Sequence, residues 1–512
     1  MLLTYAQSNS LKAEAKFADL GDTRLDDRLG EMFALMAQEP GEHFPQAARS
    51  EAELEAIYRF FRNDKAGFES VAEPHFTSTA TRVDTYDDQP ILAVHDTTDF
   101  LVSKDRYVAG MGRATSNSSC GFLGHFCLAV QSQGARHPVG LLGGLLWRRG
   151  LPTRMDTDSF EQANDCLETL DNESDKWDRV IEAVEDRVDR PENLVHVLDA
   201  GADKFCRIAN LHARPGRFVA RIQQNRRITE SLDGVDSPKI FDCLEQAPKV
   251  SKRTISLSAR DNADAPPGTQ NEHPSRDARQ ATVEIRATTA HLRRPSSASD
   301  KLAESVEVGL IWIREIDVPE GQEPIDWKLM CDESVDTSKQ VLKVVDWYRR
   351  RWVIEEYFGA LKGGCNAENR LLRSAKTYTT ALAVLLPAAW RLLLMRSLVQ
   401  NAPQTPAIQV LRESQLQALA SFERTDFEEI DGLTVTEAFT AIAALGGHLP
   451  HNGPPGWIVL MRGWHQMTPA ELANLKAREQ LLRQVRNQWQ NSSPEQFEQW
   501  LAEQEAQICD QS

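Results

Sequence analysis

The sequence predicts an α/β protein with a mixed sheet at its centre, helices before and after that sheet, and a β-rich insertion within it. Three observations predict this class. Apolar stretches with strand patterning begin near residue 90, strands and helices then alternate up to residue 221, and helical spacing of apolar residues resumes at Lys339. We therefore expect an N-terminal helical domain at 1–75, a core at 76–400 interrupted by the insertion at 222–335, and a C-terminal helical domain at 401–512.

The composition is typical of a globular protein rather than a disordered or membrane protein. The 512 residues are 41% hydrophobic and 26% charged, with a formal net charge of -17. The most apolar stretch, 381–394, is interrupted by Pro387 and Arg391, and the N-terminus has no secretory signal pattern. The cysteines are scattered singly, which predicts neither a zinc site nor disulfides. We expect a cytoplasmic protein with no membrane partner.

The charge is distributed unevenly along the chain. Residues 151–205 have a net charge of -10 and residues 401–512 one of -7, whereas residues 339–376 have a net charge of +5. Because non-specific phosphate binding grows with positive charge, the acidic average excludes a protein that coats nucleic acid with its whole surface. A polyanion is therefore expected to contact a local surface that includes 339–376.

Residues 1 to about 75 are predicted to form a small helical unit. Apolar residues recur at helical spacing in 22–38 and again in 51–62. The second helix carries Tyr58, Arg59 and Arg62, which form either a packed face or a face that contacts DNA.

The next segments predict the central sheet. PILAVHDTTDF, GFLGHFCLAVQS and PVGLLGGLLWRR predict three neighbouring antiparallel strands. They are followed by a helix at 174–188, a strand at 193–200, a helix at 202–211 and a strand at 216–221. Three strands, helix, strand, helix, strand is the element order of an RNase H-like core.

Three carboxylates are candidates for chemistry. Asp96 and Asp199 are expected to end the first and fourth strands, which are neighbours in this topology, and Glu355 comes from a helix after the insertion. Taken singly, they can equally be a turn residue, a helix N-cap and a helical ion pair. Together, and without a basic partner among them, they would repel unless cations lay between them, and oxygen ligands select Mg²⁺ or Mn²⁺. Two such ions are suited to phosphoryl transfer.

The helix around Glu355 adds cations to this site. At about 100° per residue, Tyr348, Arg351, Glu355 and Lys362 fall within a stripe of roughly 60°. An acid flanked by two cations and a phenol fits a phosphodiester whose scissile phosphate lies at Glu355.

These residues carry a resemblance to a known family. The spacing Tyr-x2-Arg-x3-Glu-x6-Lys, with DTT at 96–98 and DAGAD at 199–203, resembles the bacterial insertion-sequence DDE transposases with the YREK signature, the IS-four superfamily that includes the Tn-five transposase. The resemblance implies that Asp96, Asp199 and Glu355 hold two Mg²⁺ ions, for which Mn²⁺ can substitute. It also implies DNA contacts by the stripe residues and by Trp327, whose counterpart stacks on a flipped base. The other implied DNA contacts are position 220 in the RFVAR strand, Tyr58, Arg59 and Arg62.

The resemblance further implies an activity and partners. The expected activity is cut-and-paste transposition: strand cleavage, hairpin formation and strand transfer at the ends of an insertion sequence. The expected partners are terminal inverted repeats, target DNA and a second copy of the chain in a synaptic complex, in a bacterial cytoplasm and on the nucleoid when DNA is bound. Two alternatives stay open: an inactive or domesticated relative that binds the repeats without cutting, and an RNase H-like nuclease without strand transfer.

Overall fold

The computed structural model describes residues 11–103, 108–114, 120–150, 167–257, 275–422, 430, 432–449, 451 and 454–490. The chain divides into two compact units. The larger unit consists of Ser10–Ala37 and His43–Ser397, and the smaller unites Gln38–Glu42 with the described part of Leu398–Ser512.

The N-terminal segment is helical, as the apolar spacing predicted. A 3₁₀ turn, Leu11–Ala15, is followed by α1 (Thr23–Gln38), α2 (Phe44–Ala47), α3 (Glu51–Arg62) and α4 (Phe68–Val83). Helix α3 begins after Ser50, whose hydroxyl accepts a hydrogen bond from the Glu53 amide at 3.2 Å. This N-cap satisfies one of the free amides of the first turn, while Ile57, Phe60 and Phe61 bury the apolar face.

The larger unit is built on a mixed sheet of eleven strands. The strands are β1 (Ile91–Ser103), β2 (Gly112–Arg113), β3 (Cys120–Gln131), β4 (Pro138–Arg148), β5 (Glu168–Thr169), β6 (Leu194–Leu198), β7 (Arg217–Arg221), β8 (Lys249–Leu257), β9 (Arg279–Arg293), β10 (Ser305–Ile316) and β11 (Asp326–Cys331). Their order across the sheet is β5-β4-β3-β1-β6-β7-β11-β10-β9-β8, with β2 paired to β3. In the described residues between these strands the chain forms three helices: α5 (Asp175–Glu185), α6 (Phe205–His212) and α7 (Ile240–Gln246).

The centre of the sheet has the predicted elements. Strands β1, β3 and β4 are antiparallel neighbours, whereas β1, β6 and β7 run parallel to one another. Helix α5 packs its face of Trp177, Val180, Ile181 and Val184 into the core. Strand β3 is buried along almost its whole length, because helices cover the sheet here and leave no solvent-facing side to require alternation.

The β-rich stretch that follows β7 extends the same sheet instead of forming a separate one. Strand β11 pairs antiparallel with β7, from Leu329 opposite Arg221 to Cys331 opposite Val219. The outer edge of β7 would otherwise expose unpaired amides and carbonyls, and β11 covers it. Most of the predicted polar loop 260–279 lies outside the described residues.

Helices return after β11. Helix α8 (Ser338–Arg349) leads through a 3₁₀ turn, Arg350–Trp352, into α9 (Val353–Gly359), a π turn, Ala360–Gly364, and the long α10 (Ala375–Asn401). The smaller unit contains α11 (Glu413–Ala420), α12 (Val435–Leu445) and α13 (Trp457–Gln490).

The sequence predicted no apolar stretch of bilayer length, but α10 contains one. This helix continues through Pro387 and reaches a mean hydropathy of 1.7 over an 18-residue window. It is therefore long and apolar enough to cross a membrane by length and composition, yet 83% of that window is buried inside the protein. A buried core helix has the same composition.

Candidate active site

The two strand carboxylates lie where β1 and β6 part. The parallel pairing ends with Val94 opposite Val197, and Asp199 directly follows the last residue of β6. Asp96 was expected to end its strand, but β1 continues to Ser103 because its antiparallel pairing with β3 goes on past Asp96. Only the pairing with β6 stops before Asp96, which leaves its carboxylate beside the end of β6 on a well-supported strand.

Asp199 is a cap, one of the two roles that the sequence left open, and it also lies close to Asp96. Its carboxylate oxygen Oδ1 accepts a hydrogen bond from the Gly201 amide at 2.7 Å and so caps the 3₁₀ turn Ala200–Ala202. The same carboxylate is close enough to Asp96 that its charge raises the pKa of Asp96. Asp199 is therefore both a cap and a member of the acidic site.

Glu355 reaches the site through an irregular helical segment. The sequence predicted a continuous helical stripe, but Arg351 lies in a 3₁₀ turn, Glu355 in α9 and Lys362 in a π turn. A 3₁₀ turn advances about 120° per residue, so the stripe is not straight. Arg351 and Glu355 still share one face, whereas Lys362 pairs with Asp99 at 3.4 Å and Glu368 at 3.2 Å.

Arg351 connects the carboxylates, contrary to the expectation that they lack a basic partner. Its Nη1 donates to Asp96 Oδ2 at 2.8 Å and its Nη2 to Glu355 Oε1 at 2.5 Å. The planar guanidinium can span two carboxylates in this way because its N–H donors form a fixed fork. The site is thus an acidic cluster with one shared cation.

The single guanidinium group of Arg351 does not neutralise the negative charge of the carboxylates in this cluster. Burial raises the pKa of Asp96 and of Glu355, and the opposing effect of Arg351 is too small to reverse it. Burial would lower the pKa of Arg351, but the charges of Asp96, Tyr348 and Glu355 raise it overall. The side chains of Asp96 and Glu355 are 15% and 31% exposed, so a further cation can reach them from solvent.

The chemical type of the ligands at this site is suited to magnesium. All three acids offer oxygen ligands, the preference of Mg²⁺ and Mn²⁺. Within the described residues, however, no group of three or more His, Cys, Asp or Glu side chains is close enough to hold one ion. The contacts of Arg351 explain this difference, since the guanidinium stands between Asp96 and Glu355.

A buried histidine chain lies behind the carboxylates. His95 Nε2 and His196 Nδ1 are 2.9 Å apart, and the His196 ring continues to Glu185 at 3.3 Å. Burial lowers the pKa of His95 and His125 well below the ordinary value, so these rings are neutral at pH 7. The neutral rings add no positive charge beneath Asp96.

Tyr348 and Trp327 lie side by side next to the site. Their rings meet edge to face with centroids 6.0 Å apart, and Trp327 is half-buried on β11. Tyr348 is only 7% exposed, and burial raises its pKa. The sequence did not predict this contact, and the phenol that it predicted to contact phosphate is mostly covered.

The three consecutive arginines have different partners. Arg350 donates to the carbonyl oxygens of Gln131 at 2.9 Å and Gly134 at 3.3 Å, and thereby fixes the helix to the turn after β3. Arg349 pairs with Asp346 at 3.6 Å. Only Arg351 points at the candidate site.

The remaining predicted DNA contacts differ in accessibility. On α3, Arg59 and Arg62 are exposed and Tyr58 is half-buried, although Arg59 forms an ion pair with Glu55 at 2.6 Å. The DNA contact predicted at position 220 is wrong, because that residue is Ala220, which is fully buried on β7. The arginine at the end of the strand is Arg221, whose charge influences Tyr348.

Two residues near the site escaped the sequence reasoning. Trp352 follows Arg351 and is 55% exposed, and its position about 140° from Trp347 on a helical wheel is a signal that it leaves the buried face. Lys176 lies 5.0 Å from the ring centre of Trp147, and burial lowers its pKa while Glu173, Asp199 and Asp96 oppose the effect. No spacing pattern marks Lys176, because it reaches the site from another helix.

The N-terminal segment matches a known family. Residues 7–66 match the family model described as transposase DNA-binding. The matched segment includes α1, α2 and α3, with the exposed Arg59 and Arg62. The match supports DNA as a partner of this chain and stops before the sheet that carries the carboxylates.

Proposed function

We propose that this chain is a Mg²⁺-dependent DDE transposase of the IS-four superfamily, with Asp96, Asp199 and Glu355 as its catalytic triad. The observation that carries the proposal is that Asp96 and Glu355 meet at Arg351, with Asp199 close enough for its charge to act on both acids, in a chain whose N-terminal segment matches transposase DNA-binding domains. The spacing from Tyr348 to Lys362 adds the family signature.

The strand order supports an RNase H-like core. Strands β4, β3, β1, β6 and β7 are consecutive neighbours, with the first three antiparallel and the last two parallel to β1. In this arrangement the first and fourth strands of the core, β1 and β6, bring their acids to one edge. The stretch 222–335 then acts as an insertion that extends the sheet.

Asp96, Asp199 and Glu355 would hold the metal ions. When bound there, two Mg²⁺ ions would activate the nucleophile and stabilise the leaving oxygen of an in-line attack on a phosphodiester. The same site serves hydrolysis of one strand, attack of the freed 3′-hydroxyl on the other strand, hairpin opening and joining to target DNA.

The other side chains bind and orient the DNA. Arg351 offers a fork of N–H donors that suits a phosphate next to the scissile one. Lys362 is a second phosphate contact further along the helix. Trp327 would stack on a base that leaves the duplex during hairpin formation, and the exposed ring of Trp352 offers a second aromatic surface.

Synapsis of two DNA ends requires at least two copies of the chain. We assign the dimer contact to the C-terminal helices, where Ile458 on α13 is 63% exposed and Leu449 is 52% exposed. Exposed apolar side chains of this size are suited to a protein interface when they form part of a patch. A bacterial cytoplasm, with the protein on the nucleoid when DNA is bound, follows from the same proposal.

One observation favours a second candidate function. Arg351 occupies the space between Asp96 and Glu355, as expected of a relative that binds terminal repeats without cutting. Metal-dependent nicking excludes this candidate. A nuclease without strand transfer is excluded by a hairpin or strand-transfer product.

The decisive experiment is cleavage of a supercoiled plasmid that carries the element's own ends. We expect the wild type to nick DNA and form hairpins in Mg²⁺. Glu355→Ala should lose at least about 10³-fold in rate, because no other side chain replaces the proposed metal ligand that it removes. Glu356→Ala is the matched control, since the ion pair of this neighbouring acid within the described residues is a long one, 3.9 Å to Arg136. Equal loss in both variants, or cleavage that survives in Glu355→Ala, contradicts the assignment.

A further inference from the structure

A polar cavity of about 310 Å³ lies outside the candidate active site, in the segment that follows β7. It is lined by residues 227–231, Ser237, Pro238 and Arg293. The Ile228 amide donates to the Pro238 carbonyl at 3.1 Å, and the Arg293 amide donates to the Arg227 carbonyl at 2.9 Å. Backbone hydrogen bonds thus fix the walls of the cavity.

The cavity is lined by two arginine side chains whose positive charge is not neutralised by an acid among the described residues. Arg227 and Arg293 are both exposed, and among the described residues neither side chain has an ion-pair or hydrogen-bond partner. The arginines next to them are engaged: Arg226 pairs with Asp203 at 2.9 Å, and Arg294 donates to the Asp300 carbonyl at 2.8 Å. Two unengaged guanidinium groups at one cavity are notable in a chain of net charge -17.

The other lining groups are compatible with an anion. Hydroxyl groups come from Thr229, Ser231 and Ser237. The one acid in the lining, Glu230, accepts hydrogen bonds at 2.7 Å from the His291 amide and ring through its Oε1, while its Oε2 is buried away from solvent and has no hydrogen-bond partner among the described residues. Guanidinium and hydroxyl donors around one cavity suit the oxygens of a phosphate group.

We propose that this cavity binds a phosphate group, and that its source is the backbone of the DNA whose ends the protein processes. The first part of the proposal depends only on the cavity, whereas the DNA source rests on the proposed function.

A chain of contacts connects the cavity to the acidic site. Asp203, four residues after Asp199, accepts hydrogen bonds at 2.7 Å from the amides of Gln223 and Gln224 and pairs with Arg226. The segment that leads into Arg227 is therefore fixed to the segment that follows Asp199. A duplex held at Asp199 would keep a constant register relative to the cavity, as a backbone-positioning contact requires.

The first arm of the test measures DNA binding by the full-length protein. A labelled duplex that carries the element's end is titrated at several salt concentrations with the wild type, with Arg227→Gln/Arg293→Gln, and with the control Lys252→Gln/Lys301→Gln, which changes the net charge equally at two exposed lysines. We expect the arginine variant to lose roughly 10-fold in affinity and about one unit of salt slope, because one phosphate contact is lost. Unchanged binding, or an equal loss in the control, overturns the DNA source.

The second arm separates this proposal from the proposed function. Nicking at saturating DNA is expected to stay within about threefold of the wild type in the arginine variant, since neither arginine belongs to the triad. If the wild type neither binds nor nicks DNA, the proposed function fails and equilibrium dialysis with radiolabelled inorganic phosphate decides alone. Phosphate bound by the wild type and the control but not by the arginine variant supports the cavity as a free-phosphate site, and equal binding by all three overturns it.

Discussion

Two clusters in the larger unit each combine arginine with carboxylates, but the pKa values of their carboxylates shift in opposite directions. In the N-terminal cluster, Glu14 accepts hydrogen bonds from Arg82 at 2.6 Å and lies 2.6 Å from His75 Nδ1. Burial alone would raise the pKa of Glu14, but Arg82 and His75 lower it to about 2. At the candidate active site, burial raises the pKa of Asp96 and Glu355 despite their contacts with Arg351.

The difference lies in the ratio of charges. One acid meets an arginine and a histidine in the N-terminal cluster, and the Arg82 guanidinium also donates to the Val139 carbonyl at 2.9 Å. At the candidate site, the charges of Asp96, Asp199 and Glu355 act on one another, and a single arginine, Arg351, contacts Asp96 and Glu355. In the first cluster the negative charge of Glu14 is neutralised, and the cluster connects the N-terminal turn to the sheet. The second cluster has an excess of negative charge that a further cation can neutralise.

The matched pair Arg82→Met and Arg351→Met tests this difference most strongly. We expect Arg82→Met to lower the free energy of unfolding by about 3–5 kcal/mol, because it leaves Glu14 buried without its main partner. Arg351→Met is expected to cost about 1 kcal/mol or less, since Asp96 and Glu355 are partly exposed and can take up a proton. Urea unfolding of the full-length chain measures both. Equal costs would mean that Arg351 is a structural partner like Arg82.

The pH dependence of stability should differ in sign between the clusters. The folded pKa of Glu14, about 2, lies below its ordinary value of 4.5, so its contribution is fully present above pH 4.5 and is lost as the pH falls towards 2. We expect Glu14→Gln to remove about 3 kcal/mol of pH-dependent stability from that window. The pKa of Asp96 is raised, so its protonation favours the folded state as the pH falls, and Asp96→Asn should stabilise most at neutral pH. Urea midpoints from pH 2.5 to 7 test both signs, and parallel curves for the two variants contradict them.

Magnesium should distinguish the clusters by a smaller amount. At ten times its dissociation constant, an ion that binds only the folded state stabilises it by about 1.4 kcal/mol. We expect this gain in thermal unfolding of the wild type and of Glu14→Gln, but not of Asp96→Asn, because only the acidic site needs a further cation. A Mg²⁺ effect that persists in Asp96→Asn would locate the binding elsewhere.

The smallest expected change in stability concerns a carboxylate that has no arginine among its described contacts. In the smaller unit, burial and the charge of Glu42 raise the pKa of Glu39 to about 7, with Thr468 opposing the effect. Its protonated form is favoured in the folded state, so this contribution is present below pH 4.5 and is lost as the pH rises through 7. Glu39→Gln should therefore stabilise by about 1 kcal/mol at pH 8, after the shift is discounted for solvent screening, and by almost nothing at pH 4. A gain of equal size at both pH values would contradict the cause.

The sequence predicted the elements of the fold better than their extent. The alternation of strands and helices identified β1, β3, β4, β6 and β7, because buried central strands leave long apolar runs. The same patterning did not reveal that β1 continues past Asp96, since the antiparallel pairing that carries it onward is made with residues 120–126. Strand length depends on the partner, which is distant in sequence.

The site residues were predictable as a set, but their contacts were not. Spacing singled out Asp96, Asp199, Arg351 and Glu355, and the structure groups them. The bridging role of Arg351 depends on a contact between residues 255 positions apart, which brings the 3₁₀ turn before α9 to β1, so no local pattern contains it. Tyr348 is covered because Trp327, on β11, packs against it, which is likewise invisible in the spacing.

Strand β7 is synthesised long before β11, the strand that covers its edge. Strand β7 ends at Arg221 and the partner that covers its edge ends at Cys331, so 110 residues must be added before the pair can form. At about 5–20 residues per second, a ribosome needs roughly 5–20 s for this stretch. During that time a nascent chain displays an open strand edge in the middle of its future sheet, and translation speed between β7 and β11 sets how long neighbouring nascent chains can pair with it.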